Sequence, residues 1–556
     1  MKRTGATMVV EALASEGVRH VFGIPGGSVI PLYDALYDAT FAHVLVRHEQ
    51  AAAHCADGYA RIMGRPGVCL CTSGPGFTNI LTGLATAFMD SVPLVVITGQ
   101  VATGLIGTDA FQEADTFGCS LPVVKHSFLV RTVEEILPAI KGAFEIASSG
   151  RPGPVVVDLP VDLQRAEGDF PYPSEPVFPP EKLRPHVDLA RLDRAVALLE
   201  SAKRPVILAG GGVLAARASR ALVRLAERLD IPVATTLMGK GAISGWHGLS
   251  LGMAGMHGTP WANLALSEAD VLLAVGTRFS DRTTGRLGGF AGNATVIHAD
   301  LDEAEIDKNV RCDVPLVGNA EAILSELADR LAPQTRDEWT RTVRGWMADY
   351  PIVGGGDGAF TPASIFAAVQ EAANPDWPVA TDVGQNQMWT ALFYRVAKPG
   401  TFLTSGGLGT MGYGLPAAMG AALASGGPAL CFAGDGGFLM NCQELETCAR
   451  YNIPVKVILL HNDALGMVRQ WQELFWKERY SATVPGSPCR FDRLAEALGV
   501  PGFTCGDAGG LRAALTEAFA LPGPALVECR IPQGELVFPM VPAGATLRDF
   551  IRNRTA

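Results

Sequence analysis

An acidic residue and an amide residue follow two apolar runs in the C-terminal third of the sequence. Asp435 lies in GDGG directly after PALCFA, and Asn462 lies in HND directly after VKVILL. If these runs are neighbouring parallel strands, both side chains lie at one edge of a sheet, because the interval between them matches one β-α-β unit. A carboxylate and an amide oxygen suit a hard cation such as Mg²⁺. Three glycines of the same turn let backbone N–H groups approach phosphate oxygens, and these are Gly434, Gly436 and Gly437.

This pattern predicts a site for Mg²⁺ and a diphosphate group, but it leaves the ligand open. The phosphates of a nucleotide would fit the same groups equally well. A P-loop NTPase is disfavoured, because the sequence contains no Walker-A pattern.

A second candidate is Glu49, which lies in VRHEQAAAHCADGYAR at the start of an alanine-rich run. Acidic residues are common in the first turn of a helix, where they face the positive end of its dipole. A carboxylate drawn into an apolar setting is costly unless it has a partner. Taken alone, the stretch indicates a helix start rather than a catalytic acid.

Length and composition limit the class of protein that must position these groups. The chain has 556 residues, of which 48% are hydrophobic and 18% charged, with a net charge of −11. About three domains are expected, and a nucleic-acid or anionic-membrane surface is disfavoured because no lysine- or arginine-rich run occurs. The 11 cysteines form neither a zinc pattern nor a disulfide framework. With no signal peptide or membrane-spanning run evident, we expect a cytoplasmic protein.

The order of strand-like and helix-like runs predicts the fold class. Two proline-rich stretches, 168–188 and 333–362, are typical of linkers. Between them, apolar runs such as PLVVITG, DVLLAVGT and VKVILLH alternate with helical stretches, as in parallel sheets covered on both faces. We therefore predict an α/β protein with three doubly wound parallel-sheet domains, at residues 1–167, 186–334 and 360–545. In such sheets ligands bind beyond the carboxyl ends of the strands.

Many further motifs occur in an order that covers nearly the whole chain. They include GIPGGSVIPLYDAL, RHEQAAAHCADGYAR, TSGPGFTN, GTDAFQEAD, GRPGPVVVDLP, GTRFSDR, GGLGTMGYGLPAA, GDGGFLMN and MVRQWQELF. Together they resemble the catalytic large subunits of the acetohydroxyacid (acetolactate) synthase family, which depend on thiamine diphosphate. The resemblance implies a thiamine diphosphate-binding fold of the pyruvate oxidase/decarboxylase type. Its domains bind the pyrimidine, FAD and the diphosphate with Mg²⁺, in that order along the chain.

The resemblance also implies partners and an assembly. The chain would form a homodimer or homotetramer, with thiamine diphosphate between two subunits. A small regulatory subunit is a further possible partner, while neither nucleic acid nor membrane is expected. The implied reaction decarboxylates pyruvate and condenses the hydroxyethyl carbanion with a second 2-ketoacid, pyruvate or 2-ketobutyrate. It is the first step of branched-chain amino acid biosynthesis.

Residue roles follow from the matched motifs. Glu49 would hydrogen-bond N1′ of the pyrimidine, and Met411 would hold the two cofactor rings in a bent shape. Arg282 would bind the acceptor carboxylate, with Asp281 as its neighbour, and Trp471 would favour the larger acceptor. Further site-lining residues would be Gln112, Lys125, Gly27, Phe111 and Met256. His48 and His54 are interpreted as helix or packing residues.

The cofactor contacts are implied in the same way. Asp435, Asn462 and the Ala464 carbonyl would hold Mg²⁺. The loop that touches the diphosphate would comprise Gly384, Gln385, Asn386 and Gln387. A structural FAD would be bound by Arg151, Gly210, Gly211, Thr236, His257, Gly276, Arg278 and Asp300. The chain departs from the usual pattern at Ala102 (commonly Pro), Asn386 (often His) and His461 (usually Asn).

Two other classes of function remain open at this point. One is another thiamine diphosphate enzyme on the same scaffold: a 2-ketoacid decarboxylase, a pyruvate oxidase or a sulfoacetaldehyde acetyltransferase. Glyoxylate carboligase is disfavoured, because it lacks the activating glutamate that this sequence has at Glu49. The other class is a non-catalytic cofactor-binding protein, which the intact Glu49, Asp435 and Asn462 disfavour.

Overall fold

The computed structural model describes residues 2–178, 188–352, 360–486 and 488–553. Three six-stranded sheets, one in each third of the chain, form its framework. Every strand pair within these sheets is parallel. The predicted fold class, an α/β protein with three doubly wound parallel sheets, is confirmed. The domain boundaries stay predictions.

The N-terminal sheet has the strand order β3-β2-β4-β5-β7-β6, and a short antiparallel pair, β1 and β8, lies outside it. Its elements are β1 (Arg3–Thr4), α1 (Gly5–Ser15), β2 (His20–Gly23), α2 (Ile30–Leu36), β3 (Ala42–Leu45), α3 (Glu49–Met63), β4 (Gly67–Cys71), α4 (Pro75–Asp90), β5 (Leu94–Gln100), α5 (Thr116–Ser120), β6 (His126–Leu129), α6 (Ile136–Ser148), β7 (Pro154–Pro160), α7 (Val161–Arg165) and β8 (Glu167–Gly168). Every residue of β5 is buried, as expected for a central strand covered on both faces.

The central sheet has the order β11-β10-β9-β12-β13-β14. Its elements are α8 (Leu189–Ser201), β9 (Pro205–Ala209), α9 (Gly211–Ala215), α10 (Ser219–Leu229), β10 (Val233–Thr235), β11 (Ser250–Met253), α11 (Pro260–Glu268), β12 (Val271–Val275), α12 (Asp281–Thr284), β13 (Thr295–Asp300), β14 (Val314–Val317), α13 (Ala320–Arg330) and α14 (Asp337–Asp349).

The C-terminal sheet has the order β16-β15-β17-β18-β20-β19. Its elements are α15 (Pro362–Ala372), β15 (Val379–Thr381), α16 (Gln385–Phe393), β16 (Phe402–Leu403), α17 (Gly414–Ser425), β17 (Ala429–Gly434), α18 (Asp435–Asn441), α19 (Glu444–Tyr451), β18 (Val455–His461), α20 (Gly466–Phe475), α21 (Phe491–Ala497), β19 (Gly502–Cys505), α22 (Ala508–Ala520) and β20 (Ala525–Arg530).

One stretch interpreted as a linker is partly helical. Helix α14 lies inside the stretch 333–362, and its residues Trp339 and Val343 are buried in the same apolar cluster as β12 and α11. Aromatic and aliphatic side chains spaced along one helical face outweigh the flanking prolines, because they can be buried. Residues 179–187 and 353–359, which belong to the two proline-rich stretches, lie outside the described residues.

Helices α3 and α17 join the N-terminal and C-terminal sheets within one chain. A Cβ atom on Gly58 of α3 would overlap the Ala417 carbonyl, and one on Gly420 of α17 would overlap the Cys55 carbonyl. The two helices therefore pack backbone against backbone, which only glycine permits at these positions. This contact fixes the start of α3 relative to the loops at the end of the C-terminal sheet.

A candidate thiamine diphosphate site

Glu49 is the first residue of α3 and is almost completely buried, with 8% of its surface exposed. The preceding residue, His48, caps the helix, since its Nδ1 accepts a hydrogen bond from the Gln50 N–H (3.1 Å). The Asn79 amide donates to Glu49 Oε2 at 2.9 Å. Asn79 was missed by the sequence analysis, although its motif TSGPGFTN was part of the resemblance. This donor orients the carboxyl group without neutralising it.

His54 plays the packing role interpreted from the sequence. It lies on α3, is fully buried, and its ring meets Tyr413 edge to face with centroids 5.2 Å apart. Burial lowers the pKa of His54 to about 4, so the neutral imidazole is part of the core.

Asp435 and Asn462 lie at the carboxyl ends of the neighbouring strands β17 and β18, where Gly434 pairs with Leu460. Both are buried. Asp435 Oδ1 accepts from the Gly436 N–H at 3.0 Å, and Asn462 Oδ1 accepts from the Ala464 N–H at 3.3 Å. Burial raises the pKa of Asp435, because a carboxylate loses its hydration there. The structure thus places the three predicted ligand residues at one sheet edge.

Two further side chains surround this edge. His461 Nε2 lies 2.9 Å from Asp463 Oδ1 and 3.8 Å from Asp435 Oδ2, and its Nδ1 lies 2.6 Å from Glu528 Oε1. Ligand atoms of Asp435, His461 and Asp463 all lie within 4.8 Å of one another. The sequence analysis noted His461 only as a departure and did not select Asp463 as a ligand. Asp463 adds a carboxylate near a cation at this position, whereas His461 adds no negative charge.

The predicted diphosphate loop forms the turn from β15 into α16. Gly384 has a φ of 130°, a conformation that favours glycine. The Gln385 side chain accepts from the Asn462 amide at 3.0 Å and donates to Gln470 Oε1 at 3.0 Å. Asn386 Oδ1 is buried and has no hydrogen-bond partner among the described residues. The loop therefore lies directly beside the predicted metal ligands, and its Asn386 Oδ1 atom can still accept a hydrogen bond.

Several residues of this loop and of the GDGG turn also make close contacts within the protein. The Gln387 side chain donates to Thr404 Oγ1 at 2.7 Å and to the Ser405 carbonyl at 3.1 Å, so it holds a neighbouring segment. A Cβ on Gly437 would overlap Asp382. A Cβ on Gly434 would lie only 3.3 Å from Asn386 Nδ2. These glycines are needed for close approach within the protein, whatever else they contact.

Met411 lies over the GDGG turn, with its Cε 3.7 Å from where a Cβ on Gly436 would be. The loop that carries it is held by Asp382, a fully buried residue that the sequence analysis missed. Asp382 accepts hydrogen bonds from the N–H groups of Gly412 (3.0 Å) and Gly414 (3.1 Å). Burial raises the pKa of Asp382 to about 6. The sequence feature that could have identified Asp382 is its position directly after a strand, in TDVGQ.

Three residues of the predicted substrate site meet where α12 approaches α20. The Arg282 guanidinium carbon lies 5.4 Å from the centre of the Trp471 ring, and Arg282 Nη1 lies 3.3 Å from Met256 Sδ. Asp281 is exposed, with its carboxylate 3.7 Å from Arg282 Nε. The arginine thus has most of its donors available to a carboxylate ligand.

The remaining substrate-site predictions are not joined to this group by any described contact. The Lys125 ammonium donates to the carbonyls of Ile146 and Ser149 at the end of α6, and burial lowers the pKa of Lys125 to about 8. Gln112 has a φ of 60° and is half-buried, Phe111 is 90% exposed, and Gly27 has open space around its Cα. Their assignment to the site stays a prediction.

The predicted FAD glycines lie at the ends of two adjacent strands. Gly210 follows β9 and Gly276 follows β12, and a Cβ on Gly210 would overlap the Gly276 carbonyl. Gly276 has a φ of 57°. The Gly211 turn lies beside Met238, 3.2 Å from a Cβ built at Gly211. This is the close backbone approach that dinucleotide-binding turns need.

Among the polar FAD candidates near these turns, Thr236 is buried, and Asp300 and Arg278 are partly buried. Thr236 Oγ1 accepts from the Gly239 N–H at 3.1 Å, and Asp300 Oδ1 accepts from the Asp302 N–H at 3.0 Å. Burial raises the pKa of Asp300 to about 6, and burial together with Arg151 lowers the pKa of Arg278. A cofactor with hydroxyl and phosphate groups would offset that desolvation.

The last two FAD candidates have contacts within the chain. Arg151 Nη1 lies 2.7 Å from Glu305 and 3.1 Å from Asp302, which links the N-terminal and central domains. His257 is buried with Nδ1 3.4 Å from the Pro539 carbonyl, and burial lowers its pKa to about 4. Their assignment to FAD stays a prediction.

Comparison with known families agrees with this geometry. Residues 3–119 match the thiamine pyrophosphate enzyme N-terminal TPP binding domain. Residues 192–327 match the central domain of the same enzymes, and residues 382–529 match their C-terminal TPP binding domain. Fold and site therefore define the class of thiamine pyrophosphate enzymes.

Full-length relatives narrow the class. The chain is 46% identical to a probable acetolactate synthase large subunit of Methanocaldococcus jannaschii, covering 99% of this chain and 95% of the relative. It is 47% identical to an acetolactate synthase large subunit of Mycobacterium tuberculosis (98% and 90%) and 46% identical to the isozyme 2 large subunit of Escherichia coli (98% and 99%). The chain belongs to the acetolactate synthase large-subunit family, which confirms the resemblance.

Proposed function

We propose that the protein is a thiamine diphosphate-dependent acetolactate synthase that decarboxylates pyruvate and joins the remaining two-carbon unit to a second 2-ketoacid. The observation that carries this choice among thiamine diphosphate enzymes is the stacking of Arg282 on Trp471 beside Met256. An arginine held against an indole can bind a carboxylate with two parallel hydrogen bonds. The indole wall beside it then decides how large an acceptor side chain fits.

Bound thiamine diphosphate would supply the electron sink for decarboxylation and the reactive carbon for condensation. The task of Glu49 is to hold a proton at its buried carboxyl group and share it with the aminopyrimidine ring. Asn79 keeps that carboxyl group oriented at 2.9 Å. Because the surroundings are apolar, the proton is shared more strongly than it would be in water.

A divalent cation, Mg²⁺ in our proposal, would be held by Asp435, Asn462 and the Ala464 carbonyl. The donor set fits a hard cation, since all three ligands are oxygens. One protein carboxylate balances only part of the charge of the ion, so a diphosphate is the natural complement. Asp463, which lies 2.9 Å from His461, is a further carboxylate beside the site.

FAD is proposed as a structural group of the central domain, because the reaction involves no net redox change. Support comes from the touching turns at Gly210 and Gly276 and from the partly buried Asp300 and Arg278. The residues proposed to bind it are Arg151, Gly210, Gly211, Thr236, His257, Gly276, Arg278 and Asp300. Absorbance of a released flavin after purification tests its presence.

The proposal also covers the subunit composition of the enzyme and its cellular compartment. The relatives are named large subunits, which supports a small regulatory subunit as a partner. A homodimer or homotetramer would complete the cofactor site. Within residues 2–178, 188–352, 360–486 and 488–553, no helix has the length and apolarity to span a bilayer. We propose a cytoplasmic enzyme of branched-chain amino acid biosynthesis.

The test is turnover of pyruvate by the purified chain with thiamine diphosphate, Mg²⁺ and FAD, with and without 2-ketobutyrate. The expected products are 2-acetolactate and, with both substrates, 2-aceto-2-hydroxybutyrate. Acetaldehyde or acetyl phosphate as the main product would contradict the proposal and indicate a decarboxylase or an oxidase. Cofactor binding without turnover of any 2-ketoacid would indicate a binding protein.

A further inference from the structure

Met411 lies in a glycine-rich segment, residues 404–413, that connects β16 to α17; we call it the Met411 segment. Gly409 and Gly412 within it have φ values of 72° and 88°. Glycine backbones adopt many conformations at little cost, so this sequence does not by itself fix where Met411 lies. Contacts from outside the segment must do so.

A buried carboxylate holds the start of the Met411 segment. Asp90 is the last residue of α4, and its side chain has no exposed surface. It accepts hydrogen bonds from the N–H groups of Gly407 at 2.7 Å and Gly406 at 3.2 Å. The Arg61 guanidinium lies 3.1 Å from the same carboxylate. A carboxylate that accepts two backbone N–H groups fixes a turn more strongly than a neutral acceptor would.

A second contact from α4 reaches the residue next to Met411. Thr86 Oγ1 lies 2.7 Å from Thr410 Oγ1, and both hydroxyls are buried. Farther back along the same helix, Asn79 donates to Glu49. Asn79, Thr86 and Asp90 follow one another at intervals of seven and four residues, which places them on one helical face. Helix α4 of the N-terminal domain therefore contacts both the activating acid and the Met411 segment.

We propose that Asp90 and Thr86 are positioning residues that set Met411 against the cofactor bound by the C-terminal domain of the same chain. The inference rests on the proposed function, because Met411 matters through its contact with bound thiamine diphosphate. At the other end of the segment, Asp382 holds Gly412 and Gly414. Loss of the α4 contacts would free one end only, which leaves the fold intact while Met411 moves.

The test uses the full chain with ¹³C-labelled methionine methyl groups. The Met411 methyl signal is assigned by its loss in Met411→Leu. Thr86→Val and Asp90→Asn are then compared with wild type for that signal in the cofactor-free protein, and for thiamine diphosphate affinity by calorimetry. Thr340→Val is the matched control, since it removes a buried hydroxyl whose hydrogen bonds go to the carbonyls of Arg336 and Asp337 at the start of α14.

We expect the Met411 signal to shift or broaden in both variants. The Kd for thiamine diphosphate should rise about three- to tenfold, the equivalent of one lost hydrogen bond. Thr340→Val should change neither quantity. The proposal requires both changes, so a changed signal with unchanged affinity, or a changed affinity with an unchanged signal, contradicts it.

Two features of the experiment distinguish failure of the positioning proposal from misfolding of a variant and from failure of the proposed function. Thr86→Val preserves side-chain shape, so it decides the question if Asp90→Asn does not fold. Neither measurement needs catalysis. If the enzyme makes no acetolactate, the proposed function fails while the positioning result still stands.

Discussion

The guanidinium of Arg282 lies over the indole of Trp471, 5.4 Å from the ring centre, although the two residues come from different domains. Arg282 is supplied by α12 of the central domain and Trp471 by α20 of the C-terminal domain. An arginine is more weakly hydrated than a lysine and stacks on aromatic faces. The pair therefore holds a guanidinium group in a fixed orientation at a domain boundary, as the proposed binding of a carboxylate requires.

Arg282→Lys should raise the KM for the ketoacid acceptor by about 10- to 100-fold, because lysine cannot form two parallel bonds to a carboxylate or stack as well. Steady-state kinetics with identified products measures the change. Arg286→Ala, four residues farther along the chain and exposed, is the matched control and should leave KM within twofold (about the scatter of such measurements). Equal effects of both variants would mean that Arg282 acts only through general surface charge.

Trp471→Leu should reduce the preference for 2-ketobutyrate over pyruvate as acceptor by about tenfold, since one methylene in a shaped apolar pocket is worth at least that much discrimination. The ratio of the two products formed from mixed substrates reports it directly. The total rate of pyruvate consumption should fall less than the ratio does. An unchanged ratio would remove Trp471 from the acceptor site.

Glu49→Gln should lower the rate of carbon–carbon bond formation by about 10²- to 10⁴-fold, the range for loss of a positioned acid–base group. The amide keeps the shape of the side chain and its contact with Asn79. Thiamine diphosphate should still bind, as calorimetry can show. Glu134→Gln, an exposed glutamate of the same domain, serves as the comparison. Undiminished synthesis in Glu49→Gln would overturn the mechanism.

Removal of divalent cations with a chelator should abolish turnover, and Mg²⁺ should restore it. Asp435→Asn should weaken thiamine diphosphate binding by at least about 10- to 100-fold, which is the usual cost of losing even an outer partner of a metal ligand. Calorimetry at saturating Mg²⁺ tests this. Full activity after exhaustive chelation would exclude the proposed cation site at Asp435 and Asn462.

Glu444 gives a stability prediction with a defined pH window. It is fully buried on α19, accepts from the Arg47 N–H at 2.8 Å and from the Thr447 hydroxyl at 2.8 Å, and burial raises its pKa to about 7. An unfolded glutamate titrates near pH 4.3, so the folded state holds a proton that the unfolded state has released. Stability from this group is therefore present below about pH 4.3 and is lost as pH rises through about 7.

Glu444→Gln does not titrate, so its melting temperature relative to wild type should increase from pH 5 to pH 8. An increase of at least about 2 °C is expected. Glu517→Gln, an exposed glutamate of the same domain, should show no such trend. A difference between Glu444→Gln and wild type that is constant with pH would contradict the sign of the effect.

The sequence predicted the fold class and the placement of Asp435 and Asn462 at one sheet edge, because both depend on local patterns. Continuous apolar runs such as β5 indicate buried parallel strands, and the residues after β17 and β18 then had to lie at one edge. The sequence was a poorer guide to features that depend on packing between residues far apart in the chain. Helix α14 was interpreted as part of a linker, and Asp382, Asp463 and Asn79 were missed, because their contacts with Gly412, Asp435 and Glu49 join residues about 30 positions apart in the sequence.

By itself, the sequence selected the groups that we predict to carry chemistry: one acid at the start of α3, an acid and an amide after two strands, and an arginine and a tryptophan in matched motifs. Only the tertiary structure decided how they are held. It showed that α4 reaches from Glu49 to the Met411 segment, that Arg282 stacks on Trp471, and that Lys125 binds the end of α6. The physical reason is that residue type and local periodicity are encoded along the chain. Side-chain contacts between residues hundreds of positions apart are fixed only when the domains pack together.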